Sequence, residues 1–200
     1  MKYKANDENI RDIIQKKIEE KGNNTTLNYI DVSKVTNMNS LFFNSKFIGD
    51  ISKWDVSNVK DMSDMFYGST FNGDISEWDV SNVKDMSCMF YGSKFNGDIS
   101  KWNLKIDTDI TLMFDKSSIS DDNLIKFILK NHKNKYINEI IENMGRWQDY
   151  IVDKIKPEIL CDYLRYFYVE YETIKGSKIE NLDCAMDVYP ELALADIFTL

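Results

Sequence analysis

Twelve residues, Ile51-Ser52-Lys53-Trp54-Asp55-Val56-Ser57-Asn58-Val59-Lys60-Asp61-Met62, return 24 positions later as Ile75 to Met86, with Glu77 for Lys53 as the single change. The block fades at Ile99-Ser100-Lys101-Trp102-Asn103-Leu104, and a weaker copy precedes it at Leu27 to Ser33. A period of this length means that each unit buries its apolar face by stacking on its neighbours. Such a chain offers a long regular surface for binding and no obvious pocket for chemistry.

Aligning the units gives columns that are apolar throughout: Leu27/Ile51/Ile75/Ile99, Ile30/Trp54/Trp78/Trp102, Val32/Val56/Val80/Leu104 and Val35/Val59/Val83. They continue as Met38/Met62/Met86/Ile110, Leu41/Met65/Met89/Met113, Phe42/Phe66/Phe90/Phe114 and Phe47/Phe71/Phe95/Ile119. These are core positions, each worth roughly 1.5–3 kcal/mol when buried. The order Ile-x-x-Trp-x-Val-x-x-Val fits the leucine-rich-repeat template with Val at its last position. The x-Trp-x-Val-x stretch alternates with period 2, which predicts a short strand. Met62, Met65 and Phe66 fall at i, i+3, i+4, which predicts a short helix stopped by Gly68. Asn72-Gly73 and Asn96-Gly97 predict a tight return to the next strand. The expected fold is an α/β repeat: a short leucine-rich-repeat-like solenoid of about four 24-residue units.

The run Trp-Asp-Val-Ser-Asn-Val-x-x-Met-x-x-Met-Phe-x-x-x-x-x-Phe-Asn-x-Asp-Ile-Ser, carried without a gap by Trp54 to Ser76 and Trp78 to Ser100, resembles the BspA-like leucine-rich-repeat group. That group includes a domain of unknown function common in mycoplasma surface lipoproteins. The resemblance covers about residues 26–119. It implies a right-handed solenoid and a role in surface attachment or protein–protein contact.

The remainder of the chain divides around this array. Residues 1–23 predict a capping helix, with Ile10, Ile13, Ile14 and Ile18 on one face and Gly22 ending it. The solenoid is expected over 24–119. From Asp115 the repeat pattern stops, and 120–200 predict a small all-α domain. Ser120 is placed to N-cap its first helix, which presents Leu124, Phe127 and Ile128. Apolar spacings predict four more helices: Tyr136 to Met144, Trp147 to Ile155, one opened by Pro157, and one around Ile179 to Met186 before Pro190.

Composition excludes several functions. Apolar residues make up 43% and charged residues 29%, with net charge −8. There is no basic patch, so direct binding to nucleic acid or an anionic membrane is not expected. No apolar run approaches the ~18 residues of a membrane span. The start lacks an apolar leader and a lipobox cysteine, which predicts a cytoplasmic location. Cys88, Cys161 and Cys184 are scattered and suit a reducing compartment. His132, the lone histidine, reads as a surface residue without a positioned nucleophile. No phosphate loop, Cys-x-x-Cys or His-Glu-x-x-His occurs. No catalytic residue, metal or cofactor is assigned.

The outward residues of x-Trp-x-Val-x form the candidate binding face. They are Tyr29, Lys53, Glu77 and Lys101; Asp31, Asp55, Asp79 and Asn103; and Ser57, Ser81 and Lys105, with Ser33 at the head of that last column. Two accounts of the Asp column stand side by side. Each Asp can bond an amide two or three residues on, or the column can form an acidic stripe for a basic partner. Asp50, Asp74 and Asp98 repeat likewise and suit turn bonding, with a calcium ladder as the alternative. Phe43, Tyr67 and Tyr91 form an aromatic column that suits either an interface or the core.

The expected function is a non-enzymatic protein–protein interaction module whose solenoid face binds, and in one version inhibits, another protein: a host, phage or toxin component. Three alternatives accompany it. One is an effector whose helical C-terminal domain carries an activity. Another is a surface or secreted adhesin. The third is an acidic nucleic-acid mimic that blocks a basic enzyme.

Overall fold

The computed structural model describes residues 3–131 and 133–137. The chain divides into two units, Met1–Asn143 and Met144–Leu200, and every described residue lies in the first. The helices expected beyond residue 137, together with His132, Cys161 and Cys184, fall outside the described residues. Four elements occur in order: strand β1 (Tyr3–Lys4), helix α1 (Ile10–Lys21), strand β2 (Ile30–Asp31) and helix α2 (Asp121–Lys130).

The two helices follow from local signals. α1 buries Ile10 and Ile14 and leaves Ile13 and Ile18 half-buried. It ends where Gly22 takes a φ of 86° and donates its amide to Ile18 O. α2 begins at Ser120, whose hydroxyl accepts the Asn123 amide at 3.4 Å. Leu124, Ile125, Phe127 and Ile128 of α2 are buried. β1 and β2 pair in parallel, with Tyr3 opposite Ile30 and Lys4 opposite Asp31.

The expected α/β leucine-rich-repeat-like solenoid is overturned. Among the described residues there are only these two helices and one two-stranded sheet. From Ile51 on, no block contains a strand at x-Trp-x-Val-x or a helix at Met-x-x-Met-Phe. The reason is turn chemistry. Trp54 N bonds Ile51 O at 3.2 Å and Val59 N bonds Val56 O at 2.9 Å, leaving only Trp54, Asp55 and Val56 between two turns. Aspartate two residues before serine drives this. Asp50 accepts the Ser52 amide at 2.9 Å, Asp55 that of Ser57 at 3.2 Å and Asp61 that of Ser63 at 3.0 Å. Such side-chain bonds compete with strand and helix ladders for the same backbone groups. In the Met-Phe stretch, Asp64 has φ 56° and Gly68 φ 60°, so no helix continues through either residue.

The Met-Phe stretch forms a ribbon in which alternate amides leave the block. Met65, Tyr67 and Ser69 donate back to Met62, Asp64 and Phe66. Met62, Asp64, Phe66 and Gly68 donate instead to Asp85, Ser87, Met89 and Tyr91, at 2.7–2.9 Å. Isolated parallel bridges join Asn37 to Asp61, Asp61 to Asp85 and Asp85 to Asp109.

The apolar columns meet in the interior. Phe42, Phe66, Phe90 and Phe114 stack at 5.4, 5.7 and 5.9 Å, within 9° of parallel. Phe47, Phe71 and Phe95 stack beside them at 6.2 and 6.5 Å. Trp54 and Trp78 stack at 6.4 Å. The indole Nε1 groups of Trp54, Trp78 and Trp102 donate to Leu27, Ile51 and Ile75 carbonyls of the preceding block, so none is buried unsatisfied. Only column members near the ends, Leu41, Leu104 and Ile119, remain half-buried. α2 closes the far end through an edge-on contact of Phe127 with Phe114 at 5.1 Å.

Candidate binding face

The two turns that flank Trp54-Asp55-Val56 push the intervening side chains alternately in and out. Trp54 and Val56 are buried and Asp55 is exposed; Trp78, Val80 and Asp79 repeat the arrangement. Lys53, Glu77, Lys101, Asn103 and Lys105 are also exposed, and Ser57 and Ser81 half-buried. Glu77 and Lys101 form an exposed ion pair between neighbouring blocks.

The first block departs from this pattern because β1 lies against it. Tyr29 is half-buried beside Tyr3, at 5.9 Å between ring centroids, with the Lys21 ammonium 4.9 Å from its ring. Its hydroxyl is buried and has no hydrogen-bond partner among the described residues. Asp31 is half-buried opposite Lys4 of β1. The open part of the face therefore runs from Lys53 to Lys105.

Each Asp of the central column is held by the serine two residues on. Asp55 Oδ1 accepts the Ser57 hydroxyl at 2.6 Å as well as its amide. Asp79 Oδ1 accepts the Ser81 amide at 3.0 Å. The Ser81 hydroxyl, and then its amide, hold the Asp79 carboxyl below the usual carboxylate range. At Asp55 the second oxygen, Oδ2, accepts no bond among those found between the described residues. Behind this column, side chains tie the blocks together: Asn58 Nδ2 donates to Ser33 O and Asn82 Nδ2 to Ser57 O, both at 2.9 Å.

The neighbouring acids do similar local work. Asp50 and Asp74 are lowered chiefly by the Ser52 and Ser76 amides, and Asp98 to about 2 by the Ser100 hydroxyl and amide, with Lys126 adding to it. Among the described residues no three metal-ligating side chains come together.

Two features carry no signal as plain as the Trp motif. One is the bridge column, Asn37, Asp61, Asp85 and Asp109. Asp61-x-Ser63 and Asp85-x-Ser87 repeat the spacing of Asp50-x-Ser52, which marks them as turns in retrospect. The other is the column Ser40, Asp64, Cys88 and Leu112, all at φ 52–56° without a glycine to announce it. There burial, and then Asp85 and Asp61, push the Asp64 carboxyl up. Burial, and then Asp64, Asp85, Asp109 and Asp115, push the Cys88 thiol up. The aromatic column divides between interface and core: Phe43 is exposed and Tyr67 and Tyr91 are half-buried, stacked at 4.9 and 4.8 Å. Lys116 extends this column, bonding the Tyr91 hydroxyl.

A family model described as "Mycoplasma protein of unknown function, DUF285" matches residues 9–127. No curated protein and no solved structure matches the chain. No described helix is long and apolar enough to cross a membrane.

Proposed function

Since this chain belongs to the DUF285 family of Mycoplasma proteins of unknown function, we propose that it is a non-enzymatic protein–protein interaction module, whose face from Lys53 to Lys105 binds a protein with a basic surface. The observation that carries the reading is the repeated, serine-held exposure of Asp55 and Asp79. Each carboxylate is exposed and is held by the serine two residues on, at the same place in successive blocks. Side chains already held in place lose little freedom on binding, and a row of such carboxylates suits Lys and Arg of a partner. The finer kinship with the BspA-like group is part of the proposal and rests on the Trp54–Ser76 and Trp78–Ser100 motif.

The test is affinity capture of the tagged full chain from its native cells, beside the Asp55→Lys/Asp79→Lys variant. One dominant protein captured by the parent and lost by the folded variant is the expected result. Retention of the same protein by the variant, or no specific protein with either, overturns the reading.

A further inference from the structure

The sequence Phe-Asn-Gly-Asp-Ile-Ser occurs twice, as Phe71 to Ser76 and as Phe95 to Ser100. In both copies the fold calls for the Asn-Gly pair. A Cβ on Gly73 would lie 2.8 Å from the Phe71 ring, and one on Gly97 would lie 2.7 Å from the Phe95 ring. Both rings are buried and stacked on a second phenylalanine of their own block, so neither gives way cheaply. The asparagines serve the stack as acceptors. Asn72 Oδ1 takes the Asn96 amide and Asn96 Oδ1 takes the Ser120 amide, each at 2.7 Å. Both asparagines are exposed to water.

An exposed asparagine before glycine is open to an intramolecular reaction, because glycine has no side chain to hinder the approach of its amide nitrogen. A bond forms between the glycine N and the asparagine Cγ, and the bond from Cγ to Nδ2 breaks. The glycine amide proton passes to the departing nitrogen, which leaves as ammonia. Water then opens the resulting succinimide at one of its two carbonyls, giving aspartate or isoaspartate. Nothing is oxidised or reduced. A donor already aimed at Oδ1 assists, because it stabilises the charge that grows on this oxygen as Cγ becomes tetrahedral.

The two copies share this sequence and this donor, and they differ at one further contact. Asn123 Nδ2 of α2 donates to Asn96 O at 2.8 Å and reaches Asn96 Oδ1 at 3.4 Å. Asn96 O and Gly97 N belong to one planar peptide group, which has to be free to turn for the nitrogen to come onto Cγ. The bond to the oxygen resists that turn, and the longer contact restrains the side chain. Asn72 O accepts no bond among those found between the described residues. The position that corresponds to Asn123 one block earlier holds Ile99, which has no side-chain donor.

We propose that Asn72 is a site of spontaneous deamidation in the folded chain, and that Asn123 protects Asn96 in the identical sequence. The product carries a new negative charge two residues before Asp74. In its isoaspartate form the main chain is longer by one methylene and the acceptor of the Asn96 amide is moved. The inference is independent of what the face from Lys53 to Lys105 binds. For the test, the full chain is held in mildly alkaline buffer with and without urea, and mass spectrometry of its peptides follows the exchange of ammonia for water at each asparagine. In the folded chain Asn72 converts severalfold faster than Asn96, whereas in urea the two convert at closely similar rates. Asn123→Ala, in a chain that keeps its cooperative melting transition, raises the rate at Asn96 severalfold and leaves Asn72 unchanged; if this variant does not fold, the comparison of the two sites in the parent decides. Equal rates in the folded parent, a faster rate at Asn96, or no conversion of Asn72 in the fold while the chain in urea converts overturns the assignment. An unchanged rate at Asn96 in the folded variant overturns the protective role of Asn123.

Discussion

The two sides of each block are joined to their neighbours by different chemistry. On the ribbon side the joint is made by main chain, from Met62 N to Asp85 O through Gly68 N to Tyr91 O. On the tryptophan side it is made by side chains, from Trp78 Nε1 to Ile51 O at 3.3 Å and from Asn82 Nδ2 to Ser57 O. A main-chain joint does not depend on the residue that carries it, and the left-handed column accordingly holds Ser40, Asp64, Cys88 and Leu112 in turn. A side-chain joint requires particular residues, and Trp-Asp-Val-Ser-Asn-Val recurs unchanged.

The largest effect falls where both sides share a core. Phe66→Ala removes a ring that stacks on Phe42, Phe90 and Phe71 and is expected to cost about 3–5 kcal/mol in urea unfolding. A loss below about 1 kcal/mol would mean that the ladder is not the common core. Trp78→Phe keeps most of the burial but strands the Ile51 carbonyl, at a cost of about 1–3 kcal/mol. Cys88→Ser on the ribbon side should change stability far less. Equal effects at Trp78 and Cys88 would erase the contrast.

Glycines come next. Gly92 has φ 61° with nothing near its missing Cβ, so Gly92→Ala carries the left-handed penalty alone, about 1–2 kcal/mol. At Gly68 a Cβ would lie 2.1 Å from Asn44 Oδ1, so Gly68→Ala costs more. If the two variants unfold at the same urea concentration, the Asn44 side chain moves away freely.

Two aspartates should titrate with opposite signs. Asp98 is held at about 2 in the fold, first by Ser100 and then by Lys126. Its contribution is therefore present above the ordinary value of 3.8 and is lost as pH falls towards 2. Asp98→Asn lowers the Tm at pH 7, and the difference closes at the acid end. Asp64 is raised by burial and then by Asp85 and Asp61, so its charge opposes folding. Asp64→Asn raises the Tm at pH 7, and that gain disappears below 3.8, where the carboxyl is protonated in both states. Melting curves between pH 2 and 7 decide both. The smallest effect belongs to Glu77→Gln, because the exposed ion pair with Lys101 is screened by water and salt; its melting curve should overlay the parent's.

The interior was legible because burial depends on periodicity, which a repeated sequence displays openly. Trp54, Val56, Met62 and Phe66 are each buried where the 24-residue alignment puts them. So was the start of α2, since a serine before two aspartates is a local signal. Secondary structure was misread because alternation at Trp54-x-Val56 and the i, i+3, i+4 spacing at Met62, Met65 and Phe66 are satisfied equally by a sequence of turns. The deciding information lay in Asp-x-Ser: its bonds to amides two residues on were expected, but not that they would take the place of the strand and the helix. On the face, the exposed residues from Lys53 to Lys105 were legible from alternation, while the covering of Tyr29 and Asp31 by β1 was not, because residues 3 and 4 carry no pattern that announces a strand. The ribbon of alternate amides was invisible for another reason: it belongs to the main chain, and no side chain encodes it.

The uniformity of the joints bears on how chains of this kind change length. Asp61 meets Asp85 as Asp85 meets Asp109. Removing residues 75–98 would set Asp61 against Asp109 and Met62 N against Asp109 O, a pairing the molecule already uses one step later. Unequal recombination between near-identical gene segments would therefore add or delete whole blocks without creating a new kind of contact. Reach along the stack could drift in steps of 24 residues, while the described contacts of α1 at one end and α2 at the other stay as they are.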